Sequence, residues 1–257
     1  MKVLESIRNP QIQALRKLSK ARERHECGLY LVEGPRMAEE AVVFGVCEAV
    51  YISRYTDRIR EIAEEASRTG IEITEVSEAV MESLCETRTP QGIVCVCRIS
   101  SQAALPDGQF ILALDGVQNP GNVGTMIRTA DAAGFAGILL GPGCADLYGQ
   151  KTLGATMGSV FHLPAASVPD LAAALCQYRD RGYAVIATEL GGADFYDKCP
   201  AAPAVLVIGN EGNGISDAVS AAATHHLALP MRGGAESLNA SVAAGIMIYE
   251  MARRAGA

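Results

Sequence analysis

Ala204-Val205-Leu206-Val207-Ile208-Gly209-Asn210-Glu211-Gly212-Asn213-Gly214-Ile215-Ser216 is the stretch from which the fold is read. Its unbroken apolar run predicts a strand buried on both faces, the condition of a parallel sheet covered by helices. Three glycines follow within six residues. They permit positive φ and close backbone approach to a ligand, and they equally suit a plain tight turn. Ser216 is placed to cap the next helix. The glycine order is GxxGxG, so the stretch lacks the dinucleotide fingerprint, and GxGxxG occurs nowhere in the chain. Gly149-Gln150-Lys151-Thr152 has no glycine directly before its lysine, which excludes a P-loop.

Outward from this stretch lie further runs of the same kind, 110–114, 137–140 and 183–187, with another strand at 225–229. Each ends in glycine or polar sequence. In an open α/β sheet the ligand sits beyond those carboxyl ends. Two other segments share that position. In Leu114-Asp115-Gly116-Val117-Gln118-Asn119-Pro120-Gly121-Asn122-Val123-Gly124-Thr125-Met126-Ile127-Arg128 a strand meets a Pro-Gly turn. Asn122 is expected to cap a helix running to about 134, with Arg128 pointing from that helix toward the preceding loop. In the second, a glycine-rich loop after Leu229-Pro230-Met231 opens into an alanine-rich terminal helix, with Ser237 and Asn239 at its entrance. Helix entrances gather free N–H groups and polar side chains around a ligand, and simple capping accounts for such residues equally well.

The first hundred residues read differently. A basic helix over about 10–24 precedes short strands at 29–32, 48–52, 71–74 and 92–97, with helices near 35–44, 57–68 and 77–84 between them. This predicts a small α/β domain over 1–98, a linker over 99–109 and a second domain over 110–257. The net charge is −7, yet residues 1–25 carry seven Lys and Arg against two Glu, about +5 locally. A local basic element steers a polyanion even on an acidic body, because fields act within a Debye length of roughly 8–10 Å. A solvated helix face is the competing reading.

Eight cysteines are scattered without CxxC, and Cys95 and Cys97 form the one close pair. They are expected to be reduced, mostly buried thiols in a cytoplasmic protein. His25, His162, His225 and His226 have no metal spacing, so no metal is expected. Asp115, Asp131 and Asp146 read as structural. No apolar run approaches the roughly 18–20 residues of a membrane span, and the N-terminus does not read as a signal peptide.

Taken together, the three segments resemble the motifs of the SpoU (TrmH-like) family of the SPOUT superfamily of RNA methyltransferases. The resemblance lies in Asn122-x5-Arg128-Thr129-Ala130, in Gly209-x-Glu211-Gly212-x-Gly214-x-Ser216, and in Leu229-Pro230-Met231 running to Ser237-Leu238-Asn239. Asn9-Pro10-x4-Leu15-Arg16-Lys17-Leu18 and Leu31-Val32-Glu33-Gly34-Pro35-Arg36 are similar to the family's substrate-binding domain. The resemblance implies a parallel-sheet SPOUT catalytic domain with a C-terminal deep trefoil knot, preceded by a small α/β RNA-binding domain. It implies S-adenosylmethionine (AdoMet) as cofactor, bordered by Thr188, Glu189, Leu190, Gly209, Leu229 and Leu238. It also implies transfer to a ribose 2′-hydroxyl by Arg128, Asn122, Glu211, Ser237 and Asn239, in a homodimer formed through the catalytic domain. Alanines at 240, 243 and 244 suit close packing at that interface. RNA is expected on Arg16, Lys17, Lys20 and Arg36. The family assigns the arginine as general base, but a guanidinium holds its proton in proteins, so stabilisation of the developing alkoxide is the sounder role. Glu211 is expected to anchor Arg128 or the loop. Ribosomal RNA is the first expectation for the substrate, with tRNA, or a non-catalytic ribosome-assembly role, as alternatives.

Overall fold

The computed structural model describes residues 3–99 and 105–256. The chain divides into two compact units, the first taking in the N-terminal elements together with Tyr148–Phe161. Part of the expected linker, residues 100–104, lies outside the described residues.

In the first unit, α1 (Pro10–Lys17) starts on Asn9, whose side chain accepts from the Gln11 amide. The single basic helix expected over 10–24 is instead two, α1 and α2 (Ala21–Cys27). The break buries Leu18 and gives Arg24, itself buried, the Leu18 carbonyl at 2.7 Å. Gly28, at φ 67°, closes α2 and leads into β1 (Leu29–Glu33). Then come α3 (Pro35–Val43), β2 (Cys47–Ile52), α4 (Asp57–Arg68), β3 (Glu72–Glu75), α5 (Glu78–Leu84) and β4 (Ile93–Arg98). The sheet runs β1-β4-β2-β3, with β4 antiparallel to both neighbours. Alternation along each strand feeds two cores. Ile12, Leu15, Val80 and Met81 pack on one face, and Met37, Ala41, Ile59 and Ile62 on the other.

The second unit begins with β5 (Phe110–Asp115), α6 (Pro120–Ala132) and β6 (Gly137–Leu140). The chain then leaves for α7 (Gln150–Thr156) and α8 (Ser159–His162), which sequence order assigns to the second domain. Residues 148–161 instead group with the first unit: Leu153 joins its core, and Gln150 Nε2 donates to the Leu31 carbonyl at 2.8 Å. The second unit resumes with β7 (Ala165–Ser167), α9 (Leu171–Asp180), β8 (Ala184–Asp194), α10 (Phe195–Lys198), β9 (Ala204–Gly209), α11 (Asp217–Ala222), β10 (His225–Ala228) and α12 (Ala240–Ala255). The six strands lie in the order β10-β8-β9-β5-β6-β7, every pairing parallel. β5 and β9 are buried at every position, as their continuous apolar runs require. The pairing of β8 with β10 jumps from Ala187↔His226 to Ala193↔Leu227, so residues 188–192 bulge out of the ladder. Among the described residues no helix is long and apolar enough to cross a membrane.

Candidate active site

The carboxyl ends of β5, β8, β9 and β10 carry the polar loops, and a cavity of about 290 Å³ opens there. Thr188, Glu189, Leu190, Gly209, Leu229 and Leu238 all line it, together with Glu211, Ser237 and Asn239. Thr188 Oγ1 donates to the Val207 carbonyl at 2.8 Å, and Glu189 Oε2 lies 3.1 Å from His226 Nδ1. Met231 of the third motif also faces the cavity, as do Asn210 and Met247, to which the sequence assigned no role.

The loop after β9 is built by one asparagine turn and two anchors. Asn210 Oδ1 accepts from the amides of Gly212 and Asn213, both at 2.9 Å, while its Nδ2 donates to the Gly116 carbonyl at 2.7 Å. Asp115, at the end of β5 and 9% exposed, accepts from the Ser216 amide at 2.7 Å. Both ends of the loop are thereby fastened to the end of β5. Gly209 has to be glycine, because a Cβ there would lie 2.3 Å from the Gly214 carbonyl carbon. Ser216 holds the N-cap position of α11 without a side-chain capping bond.

Asn119, not the expected Asn122, caps α6, accepting from the amides of Gly121 and Asn122. Pro120 at the first helical position marks that start, since Asn-Pro fixes the cap one residue earlier. Asn122 is buried within the first turn. Its Nδ2 donates to Glu211 Oε1 at 3.0 Å and its Oδ1 accepts from Asn239 Nδ2 at 3.2 Å. Asn239 caps α12 through Oδ1, which accepts from Ser241 and Val242. Glu211 also accepts from the amides of Gln118 and Asn119, at 3.2 and 3.1 Å, so it anchors the turn before α6 and not Arg128. Burial pushes the Glu211 carboxyl up, but hydrogen bonds from Asn122 and from backbone amides outweigh it and hold the group below its ordinary value.

Arg128 stands apart. Six residues past Asn122, it is turned about 240° around α6 and set about 9 Å along it. Its side chain is exposed and does not line the cavity, contrary to the expectation that it points back to the loop. Among the described residues it has no hydrogen-bond or ion-pair partner. The alanines expected at an interface turn inward instead: Ala244 is buried, and Ala240 and Ala243 line the cavity.

In the first unit, Arg16, Lys17, Lys20 and Arg36 are all exposed. The first three sit on α1 and the start of α2, whereas Arg36 lies past the far end of β1. Among the described residues no group of three or more His, Cys, Asp or Glu is arranged to hold a metal ion.

The SpoU rRNA Methylase family model matches residues 109–249, and the MRM3-like substrate binding domain model matches residues 9–95. The 23S rRNA (guanosine(2553)-2′-O)-methyltransferase RlmP of Bacillus subtilis is 36% identical over 98% of this chain and 99% of its own. The AdoMet-bound rRNA methyltransferase of Sinorhizobium meliloti superimposes with a TM-score of 0.87 at 31% identity, covering 98% of this chain and 97% of that one. The AdoMet complex of the SpoU methyltransferase AviRb from Streptomyces viridochromogenes gives 0.83 at 29% identity, covering 96% of this chain and 98% of that one.

Proposed function

This chain belongs to the SpoU rRNA Methylase family, and from that premise we propose that it methylates a ribose 2′-hydroxyl of ribosomal RNA with AdoMet as donor. The observation that carries the reading is the cavity fastened by Asn122, Glu211 and Asn239. Its lining fits the cofactor: Leu190, Ile208, Leu229 and Leu238 supply apolar surface for a purine, and Thr188 and Glu189 supply polar edges. When bound, AdoMet supplies an electrophilic methyl group on a sulfonium, which the ribose oxygen takes as the thioether departs.

The chain's own task is positioning and charge. Asn239 lines the cavity and Asn122 backs it from behind, and both are rigid because each amide is fixed at both ends. Ser237, exposed at the cavity rim, orients the incoming ribose. Arg128 lies outside its own chain's cavity, so in a homodimer it serves the site of the partner protomer, where its guanidinium stabilises the developing 2′-alkoxide and the proton leaves to water or an RNA phosphate. Arg16, Lys17 and Lys20 contact the RNA backbone. A C2 homodimer through the second unit is supported by Val242, Ile246 and Tyr249, an exposed apolar row on α12 of which Tyr249 is 54% exposed. The family resemblance supports a trefoil knot in the C-terminal portion.

The end-to-end match to a 23S rRNA enzyme, substrate-binding unit included, favours ribosomal RNA over tRNA. Mapping ribose methylation across rRNA and tRNA in a deletion strain tests this: one rRNA position should lose its methyl group and regain it on complementation. Loss in tRNA alone overturns the substrate. Failure of the purified protein to bind AdoMet in a calorimetric titration would leave a non-catalytic assembly factor.

A further inference from the structure

The root of the 188–192 bulge is tied on both sides. Thr188 Oγ1 donates to the Val207 carbonyl on β9, and Glu189 Oε2 meets His226 Nδ1 on β10 at 3.1 Å. The chain then turns back so closely over β10 that a Cβ on Gly192 would stand 2.8 Å from the His226 carbonyl oxygen. Of the two consecutive histidines on β10, strand alternation turns only His226 toward the bulge. His225 Nδ1 lies 2.8 Å from Thr224 Oγ1 instead.

Among the described residues two carboxylates line the cavity, and they differ in what they leave open. Glu211 has both oxygens engaged, Oε2 by the Gln118 amide and Oε1 by the Asn119 amide and Asn122 Nδ2. Glu189 has only Oε2 engaged, and its Oε1 has no hydrogen-bond partner among the described residues. A carboxylate only accepts, so the proton of the contact sits on Nδ1 and His226 is the donor. His226 itself does not line the cavity. It stands behind Glu189, and the bond fixes the plane of the carboxyl group. A pair this open to solvent, with side chains 46% and 29% exposed, adds little to the stability of the fold. Its effect is on orientation.

Orientation matters for one kind of guest group more than another. AdoMet offers hydrogen-bond donors at its adenine amine, at two vicinal ribose hydroxyls and at its methionine ammonium. An ammonium is a point charge with rotating donors, which a carboxylate satisfies in any plane. The adenine amine is a neutral donor, served by a backbone carbonyl without burying a charge. Vicinal hydroxyls are two donors in fixed relation. They match a carboxylate held still, with one oxygen open and a lone pair to spare on the other.

We propose that His226 is a positioning residue of the cofactor site: it holds the Glu189 carboxylate in the plane in which that group receives both ribose hydroxyls of AdoMet. The proposal rests on the methyltransferase reading above. It gives β10 a part in donor binding through a side chain that stands outside the cavity.

The test is calorimetric titration of the full chain with two ligands. S-adenosylhomocysteine keeps the ribose and the ammonium, and 5′-methylthioadenosine keeps the ribose alone. His226→Ala should weaken both about fivefold, whereas His226→Asn, whose amide nitrogen takes the place of Nδ1, should stay within about twofold of wild type. In a Glu189→Ala background His226→Ala should add no further loss, because no carboxylate remains to be held. His225→Ala should bind as wild type does. Additive losses, or a His226→Ala protein that does not fold, would show His226 serving the fold rather than Glu189. A loss confined to S-adenosylhomocysteine would place the carboxylate at the ammonium. Each of these results overturns the proposal, as does wild-type affinity in His226→Ala or no rescue in His226→Asn. Wild-type protein that binds neither ligand removes the methyltransferase reading itself, and the proposal with it.

Discussion

Asn239 Nδ2 donates to Asn122 Oδ1 across 3.2 Å, joining the start of α12 to the first turn of α6 over 117 residues of chain. Both amide orientations are forced. Asn122 must present Nδ2 to the Glu211 carboxylate, so its oxygen faces Asn239, whose own oxygen is then left for the α12 amides. Asn239→Asp keeps the cap and deletes the donor, whereas Asn239→Ala deletes both, the cap being worth about 1 kcal/mol. The Asp variant should therefore melt near wild type and turn over at least tenfold more slowly. Thermal melts and single-turnover methylation check this, and an Asp variant with wild-type turnover would sink the role of the amide.

Glu211 links the same network to pH. Its carboxyl titrates below the ordinary value in the folded chain, so its contribution to stability is complete above the unfolded value. That contribution disappears as pH falls through the folded value. Melting temperature measured from pH 7 downward should fall more steeply for wild type than for Glu211→Gln. The two curves should converge on the acid side. Parallel curves would contradict the hydrogen-bonded carboxylate.

Arg128 tests the chemistry without disturbing the fold, because its side chain is exposed and unpartnered among the described residues. Arg128→Lys preserves charge but not the planar fork, and should lose roughly 10²-fold in turnover. Arg128→Ala should lose at least as much. AdoMet affinity and melting temperature should stay near wild type in both. Turnover by the Ala variant within tenfold of wild type at saturating RNA would falsify the assignment.

Gly209→Ala addresses the cavity floor. The added methyl would meet the backbone of Gly214 and Ile215, at 2.3 and 2.4 Å, and backbone cannot rotate away as a side chain can. The loop must shift, at a cost of about 1–3 kcal/mol. AdoMet affinity should drop more than tenfold in a calorimetric titration. An unchanged dissociation constant would show that the loop does not shape the site.

Dimerisation is tested on the outward row of α12. Val242→Glu with Tyr249→Glu puts two charges where apolar side chains are 51% and 54% exposed. Sedimentation at micromolar concentration should change from dimer to monomer with the melting curve of each protomer still cooperative. A double variant that stays dimeric would move the interface elsewhere.

The parallel sheet was legible because buried strands such as Phe110–Asp115 and Ala204–Gly209 announce themselves as unbroken apolar runs. The break between α1 and α2 was not, because no glycine or proline marks residues 18–20. There a tertiary demand, burial of Leu18 and Arg24, overrides helical propensity. The three-residue β7 is too short to show a period. Grouping of Tyr148–Phe161 with the first unit depends on where the chain travels in space, which local pattern does not encode. The site was readable as glycine and asparagine at strand ends, but the Asn122–Glu211 bond joins positions 89 apart. The inward turn of Ala240 and Ala244 likewise emerges only from packing.

The jump in register between β8 and β10 has one last consequence. Residues 188–192 leave the ladder at the point where Thr188, Glu189 and Leu190 reach the cavity. In that stretch the peptide groups have no ladder partner on β10. A binding site written in peptide bonds has no letters to misspell: its side chains can drift over generations while the guest continues to meet the same amides and carbonyls. Such a pocket is inherited as a path of the chain.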